Sequence, residues 1–176
     1  MQIRYLDEKD DRYAISRIYE EGWKHAYKGI IPDDYLNRIK PGQWANNLDI
    51  EGWHNLVCIE DESYIATSTF SRSRDDSYPD WGEIISIYVL PEYIGKGYGN
   101  KLLKTALDEL KKMGFNDVFL WVLEENHQAR SFYEKNGFMP NGDRSVIKLG
   151  GKELTEVRYV FHFEKSVNVI FGLPVK

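Results

Sequence analysis

W-G-E-I-I-S-I-Y-V-L-P-E-Y-I-G-K-G-Y-G-N-K-L-L-K-T-A-L, residues 81–107, passes from a strand through a glycine loop into a helix. Residues 84–90 form a short apolar run rich in β-branched and aromatic side chains, which predicts a buried strand. Pro91 ends it, because proline has no N–H to give to a sheet ladder. Gly95, Gly97 and Gly99 then alternate with Lys96 and Tyr98. From Leu102 onward the apolar positions are Leu102, Leu103, Ala106, Leu107, Leu110 and Met113, the stripe of an amphipathic helix. Gly114 supplies its stop.

Strand, glycine loop and helix together make an anion-binding arrangement. Glycines let the backbone approach a phosphate, and the free N–H groups of the first helical turn point at it. Lys96 adds a positive charge. A Walker A loop requires Lys and then Ser or Thr after its last glycine, but Asn100 follows Gly99. A dinucleotide fingerprint requires G-x-G-x-x-G directly after the strand. Here Pro91, Glu92, Tyr93 and Ile94 intervene, and the third glycine falls one position early.

The segment resembles the acetyl-CoA-binding motif of the GNAT acetyltransferases, Q/R-x-x-G-x-G/A, with Gly97 and Gly99 at the two glycine positions. Ile94 stands where that family usually has Gln or Arg. A second stretch, Asn126 to Phe138, reads N-H-Q-A-R-S-F-Y-E-K-N-G-F and is similar to the family's N-x-x-A-x-x-F-Y-x-x-x-G-F signature. It follows one intervening strand. The resemblance covers roughly residues 81–163 and is looser upstream.

The whole-chain figures agree with an enzyme of this kind. A chain of 176 residues suits one domain with a substantial core. Its composition, 42% hydrophobic and 29% charged, is that of a soluble globular protein. A net charge of −5 without a basic stripe argues against nucleic acid as a partner and is compatible with a cationic acceptor. The lone Cys58 excludes an intrachain disulfide and reads as a core cysteine in a reducing compartment. No leader-like apolar segment opens the chain, and no apolar run approaches the ~20 residues of a bilayer span. The expectation is a cytoplasmic protein without a membrane partner.

Upstream, residues 2–6 read as a first strand. Asp10 and Asp11 precede a helical pattern of Ile15, Ile18, Tyr19, Trp23 and Ala26. Pro32 starts a short helix through Ile39, and a third helical piece is expected over residues 43–50. Residues 55–60 and 64–70 form a hairpin around Asp61, Glu62 and Ser63. Residues 71–80 are polar and aperiodic, a loop. Residues 117–123 are a buried strand, Asn126 caps a helix ending near Asn136, and Asn141, Gly142 and Asp143 make a turn. A last hairpin spans residues 144–149 and 154–163 around Gly150 and Gly151. The apolar residues 167–171 could cap the core, add an edge strand or pair with another subunit, so a homodimer is open.

The resemblance implies an α/β (α+β) fold, a single domain with a mixed, twisted sheet of about seven strands flanked by helices. It implies that the fourth and fifth strands splay apart and that the pantetheine arm of acetyl-CoA lies between them. Backbone groups of Ile87, Tyr88 and Val89 would pair with the arm and polarise the thioester carbonyl. Gly95, Lys96, Gly97, Tyr98, Gly99 and Asn100 would hold the pyrophosphate, and Asn126 would meet the pantetheine amides. By the same resemblance Tyr133 protonates the departing thiolate and Glu83 is the candidate base. Residues 10–50 would wall the acceptor site, with Trp23, Tyr27 and Tyr35 as substrate-binding aromatics. No metal is expected, because the four histidines lack ligand spacing. The predicted function is acetyl transfer from acetyl-CoA to a primary amine, either a small molecule (polyamine, antibiotic or amino acid type) or a protein N-terminus. The alternative is a non-catalytic CoA- or nucleotide-binding sensor.

Overall fold

The computed structural model describes residues 1–164, so the apolar segment 167–171 lies outside them. Seven strands form one sheet: β1 (Gln2–Tyr5), β2 (Trp53–Glu60), β3 (Ser63–Arg72), β4 (Gly82–Val89), β5 (Asp117–Leu123), β6 (Met139–Leu149) and β7 (Lys152–His162). Their order is β1-β2-β3-β4-β5-β7-β6, and β4 against β5 is the one parallel pairing. The β2–β3 hairpin closes through Asp61 and Glu62, at φ 47° and 61°. That left-handed pair twists the way the strands do.

The β4–β5 pairing decides the architecture. Partners are Gly82↔Val118 and Glu83↔Phe119, and then the strands part. On its other edge β4 carries a bulge: Phe70 faces Ile84 and Thr69 faces Ser86, which leaves Ile85 without an opposite residue. A bulge bends its strand and increases the local twist, which turns β4 away from β5. The expected splay is present.

Helices α1 (Arg12–Ala26) and α2 (Asp33–Leu36) cover one face of the sheet, and α3 (Tyr98–Lys112) and α4 (His127–Lys135) the other. The α3 stripe of Leu102, Leu103, Ala106, Leu107 and Leu110 packs with Phe70, Ile84, Val118 and Leu120. Each of these leucines, fully buried, contributes about 1.5–3 kcal/mol of transfer free energy. Gly82 admits α3 closely, since a Cβ there would lie 2.9 Å from Leu110 Cδ2. Cys58 sits unpaired and buried in the same core. The opposite face holds Ile15, Tyr19, Leu48 and Val57, and beside them Ile31, Leu36, Leu123 and Leu154.

Three expectations need correction. The helical piece over 43–50 is only a 3-10 turn, Ala45–Asn47. Its backbone is claimed by side chains from elsewhere: Gly42 N–H donates to Glu20, Trp44 N–H to Ser16, and Asn55 donates to Leu48 C=O. The helix begun after Pro32 stops at Leu36, and i→i+3 turns carry the chain to Ile39. Asn141, Gly142 and Asp143 do turn, but inside β6 rather than before it. The pairing slips between Pro140 and Arg144, and Asn141 Oδ1 accepts from Asp143 N–H. No helix among the described residues is long and apolar enough to cross a membrane.

Candidate active site

Where β4 and β5 diverge, a cleft of about 620 Å³ opens between them. One wall is β4 from Ile85 to Val89, whose edge toward β5 has no partner strand beyond Glu83 among the described residues. Unpaired strand edges are rows of hydrogen-bonding groups awaiting an extended ligand. At one end lies the glycine loop. Gly95 and Gly97 adopt φ 80° and 87°, and a Cβ on either would meet open space. Gly97 is also the N-cap of α3 and offers no side chain to its first turn. The amides of Tyr98, Gly99 and Asn100 therefore lack partners among the described residues. The result is an open cradle with positive electrostatic character.

Helix α4 closes the other wall. Asn126 is buried and its Oδ1 accepts from Ala129 N–H at 3.1 Å, so it caps the helix while lining the cleft. Asn136 joins α4 to α3 by donating to Asn100 Oδ1 at 3.0 Å and to Phe132 C=O at 2.9 Å. Tyr133 is buried between Phe132 and Phe138, with ring centroids 5.3 and 5.8 Å away. Its hydroxyl has no hydrogen-bond partner among the described residues, and burial pushes the phenol above its ordinary value.

Beyond Tyr133 the cleft ends in a cluster of phenols. Tyr27 and Tyr88 hydroxyls lie 3.2 Å apart, and burial pushes both phenols up. Gly22 of α1 makes room for Tyr88, because a Cβ there would come within 2.7 Å of its Cδ1. Trp121 and Glu156 complete this end. Glu156 makes no hydrogen bond or ion pair among the described residues, and desolvation raises its carboxyl above the ordinary value. The group is uncharged apart from this carboxylate.

Of the residues expected from sequence, Tyr27, Ile87, Tyr88, Val89, Gly95, Gly97, Gly99, Asn100, Asn126 and Tyr133 all line the cleft. Others do not. Lys96 stands over the Tyr93 ring at 5.0 Å, and Tyr98 meets Tyr93 in a T-shaped contact and packs against the core. Trp23 meets Tyr27 edge-on and Trp44 at a tilt, and Tyr35 packs beside Pro32 and Gly150; both belong to the second core. Lys135, Trp121 and Glu156 line the cleft without having been anticipated. Lys135 falls within the second motif. Glu156 is one of several charged residues on an alternating strand, and no local pattern distinguishes it.

Glu83 departs most from expectation. It is buried, and Arg74 grips its carboxylate through Nη2 at 2.6 Å, Nε at 3.0 Å and the backbone N–H at 3.1 Å. With Arg74, Asp75, Asp76 and Phe119 it lines a separate cavity that shares the Trp121 wall with the cleft. These three donors occupy the carboxylate oxygens from the Arg74 side. Its loop is pinned from below by Arg158, buried on β7. That guanidinium pairs with Asp75 and Asp143 and lies 4.1, 4.7 and 4.5 Å from the Tyr78, Phe119 and Trp121 ring centres. The ring faces take the place of hydrogen-bond partners that its Nε and Nη1 lack.

Comparison with known proteins places this geometry. Residues 13–138 match the model of the acetyltransferase (GNAT) family. An uncharacterized N-acetyltransferase of Archaeoglobus fulgidus is 32% identical over 142 residues, 76% of this chain and 89% of that one. The spermidine N(1)-acetyltransferase of Thermoplasma acidophilum is 26% identical, over 78% of this chain and 88% of its own. Among solved structures, yncA of Salmonella typhimurium with its cofactor acetyl-CoA superposes with a TM-score of 0.69. That match, at 22% identity, covers 94% of this chain and 95% of the other, a likeness of fold.

Proposed function

The chain belongs to the acetyltransferase (GNAT) family of acyltransferases, and from that premise we propose that it transfers the acetyl group of acetyl-CoA to a primary amine. One observation carries the reading: a single cleft joins an unpartnered strand edge, a glycine cradle with free amides and a buried tyrosine. An extended pantetheine chain would satisfy the edge of β4, and its pyrophosphate would take the amides from Gly97 to Asn100. The empty space beside Gly95 and Gly97 admits the phosphates.

The chain's groups divide the reaction between them. Amides of β4 stabilise negative charge on the thioester oxygen as nitrogen attacks. Tyr133, kept protonated by burial, gives its proton to the departing sulfur. The neutral phenols of Tyr27 and Tyr88 hold the acceptor's polar end. Suitable acceptors to assay are polyamines, aminoglycoside-like antibiotics, amino acids and peptide N-termini, and the Thermoplasma relative's name puts polyamines first.

Acetyl-CoA at ~100 times its Kd should stabilise the fold by roughly 2.7 kcal/mol. For a chain of this size that is a rise in Tm of roughly 5–10 °C. NAD should give none, and CoA thiol should be released on adding an effective amine. Stabilisation by NAD with none by acetyl-CoA would overturn the reading. Binding of acetyl-CoA without turnover across the panel would instead favour a sensor.

A further inference from the structure

The transfer reaction needs a group that accepts a proton from the amine, and the residue expected from sequence, Glu83, is taken up by Arg74. On β7, Glu156 lies opposite Leu123 of β5, so both point to the same face of the sheet. That placement puts Glu156 in the lining of the cleft, together with Tyr27, Tyr88 and Trp121. It lies close enough to Tyr27 to disfavour that phenol's ionisation. Tyr27 in turn is close enough to Tyr133 to do the same. One carboxylate without a partner among the described residues thus shares a pocket with the proposed thiolate acid.

We infer that Glu156 is a catalytic residue of the transfer, receiving the acceptor's ammonium and taking the proton that must leave before nitrogen attacks. The inference rests on the acyl-transfer reading. A partly buried anion walled by phenols and an indole favours a cation over a neutral or anionic head group. The proton balance closes. The ammonium gives one proton to Glu156, which passes it to water. The freed lone pair forms the C–N bond, the C–S bond breaks with its electron pair on sulfur, and Tyr133 protonates that sulfur. The second proton shed by nitrogen restores the Tyr133 phenol.

The groups facing Glu156 are consistent with this role. Tyr27, just after α1, is the phenol whose ionisation it opposes; Tyr88 on β4, Tyr133 on α4, His25 on α1 and Trp121 on β5 line the same cleft, and within the sheet Glu156 pairs with Leu123 of β5 and Ser145 of β6. Arg74 is the cation whose field reaches it, and it opposes the rise caused by desolvation. A carboxyl raised in this way is a better base than one in water.

The test is steady-state kinetics of the full chain with cadaverine, phenethylamine and tyramine from pH 6 to the amine's own pKa, about 10. For Glu156→Gln, kcat/KM for the amine should fall about 10²–10⁴-fold at neutral pH. The deficit should shrink as free amine accumulates, with acetyl-CoA affinity unchanged. Glu156→Asp, which keeps the charge, should retain the wild-type pH profile at reduced kcat. A folded Glu156→Gln enzyme within about threefold of wild type at every pH would overturn the assignment. So would a parallel loss of acetyl-CoA affinity and Tm in both variants, which marks a structural role. If the wild type transfers no acetyl group to any amine, the acyl-transfer reading has failed separately. Calorimetric titration with cadaverine then decides: binding lost in Glu156→Gln sustains the cation site, and equal binding removes it.

Discussion

At the scale of the residue, Tyr133 shows how burial and chemistry combine. Its ring is held by Phe132 and Phe138, so its position does not depend on its hydroxyl. The hydroxyl has no partner among the described residues, and desolvation keeps it protonated. Tyr133→Phe should therefore leave Tm within about a degree of wild type, because a cleft-lining hydroxyl that makes no hydrogen bond among the described residues contributes little to stability. Loss of the acid should lower kcat by ~10²–10⁴-fold, roughly 3–5 kcal/mol of barrier. KM for acetyl-CoA should hardly move. Thermal melts and initial rates on the same preparation separate the two effects. Full kcat in the folded variant would show the hydroxyl to be idle.

At the scale of the element, the start of α3 has a shape that only glycine fits. Gly97 sits at φ 87°, a conformation that costs a β-branched residue about 1–2 kcal/mol. It faces open space, so a side chain placed there would clash with nothing in the free protein. Gly97→Val should consequently fold, with a loss of about 1–2 kcal/mol in stability. Its isopropyl group would fill the cradle, and acetyl-CoA binding should fall below detection by calorimetry. Unchanged affinity in the folded variant would move the pyrophosphate away from this loop. Gly99 is a milder position, since its φ is ordinary and a Cβ there would make normal contacts with Phe132 and Val89.

At the scale of the whole molecule, the N-terminal strand is tied to the start of α1 through one carboxylate. Asp10, buried just ahead of α1, accepts from Arg4 Nη1 and Nη2 at 2.7 and 2.6 Å. It also accepts from the Tyr64 hydroxyl and Asp7 N–H, each at 2.6 Å. Asp11, its neighbour, is the actual N-cap of α1. The Arg4 guanidinium and these donors hold the Asp10 carboxyl well below the usual carboxylate range. Its stabilisation is complete above the unfolded-state pKa of about 3.9 and is lost as pH falls toward the depressed folded value. Asp10→Asn should cost about 2–3 kcal/mol at pH 7. Urea denaturation should show the gap narrowing once the pH drops below about 4. A constant gap across that range would mean that the charge of Asp10 is not what holds β1 to α1.

What the sequence determined by itself is local and directional. Alternation and apolar runs gave every strand of the sheet, the α3 stripe gave its buried face, and the glycines at 95, 97 and 99 gave the cradle. The N-x-x-A and F-Y spacing gave α4 with Asn126 at its start and Tyr133 on its inner side. These features depend on backbone conformation and periodicity, which neighbouring residues impose. Only the tertiary structure decided the fates of the two glutamates. Glu83 and Glu156 are both glutamates on strands, and neither strand's own sequence shows what the fold sets against its carboxylate. Arg74 reaches Glu83 from the loop after β3, whereas the pairing of β5 with β7 carries Glu156 into the cleft with no side-chain partner among the described residues. The same holds for residues 43–50, where Glu20, Ser16 and Asn55 bind groups a helix would have used. A charge or an amide acquires its role from whichever partner the fold brings to it, and in these cases that partner lies 7 to 28 residues away.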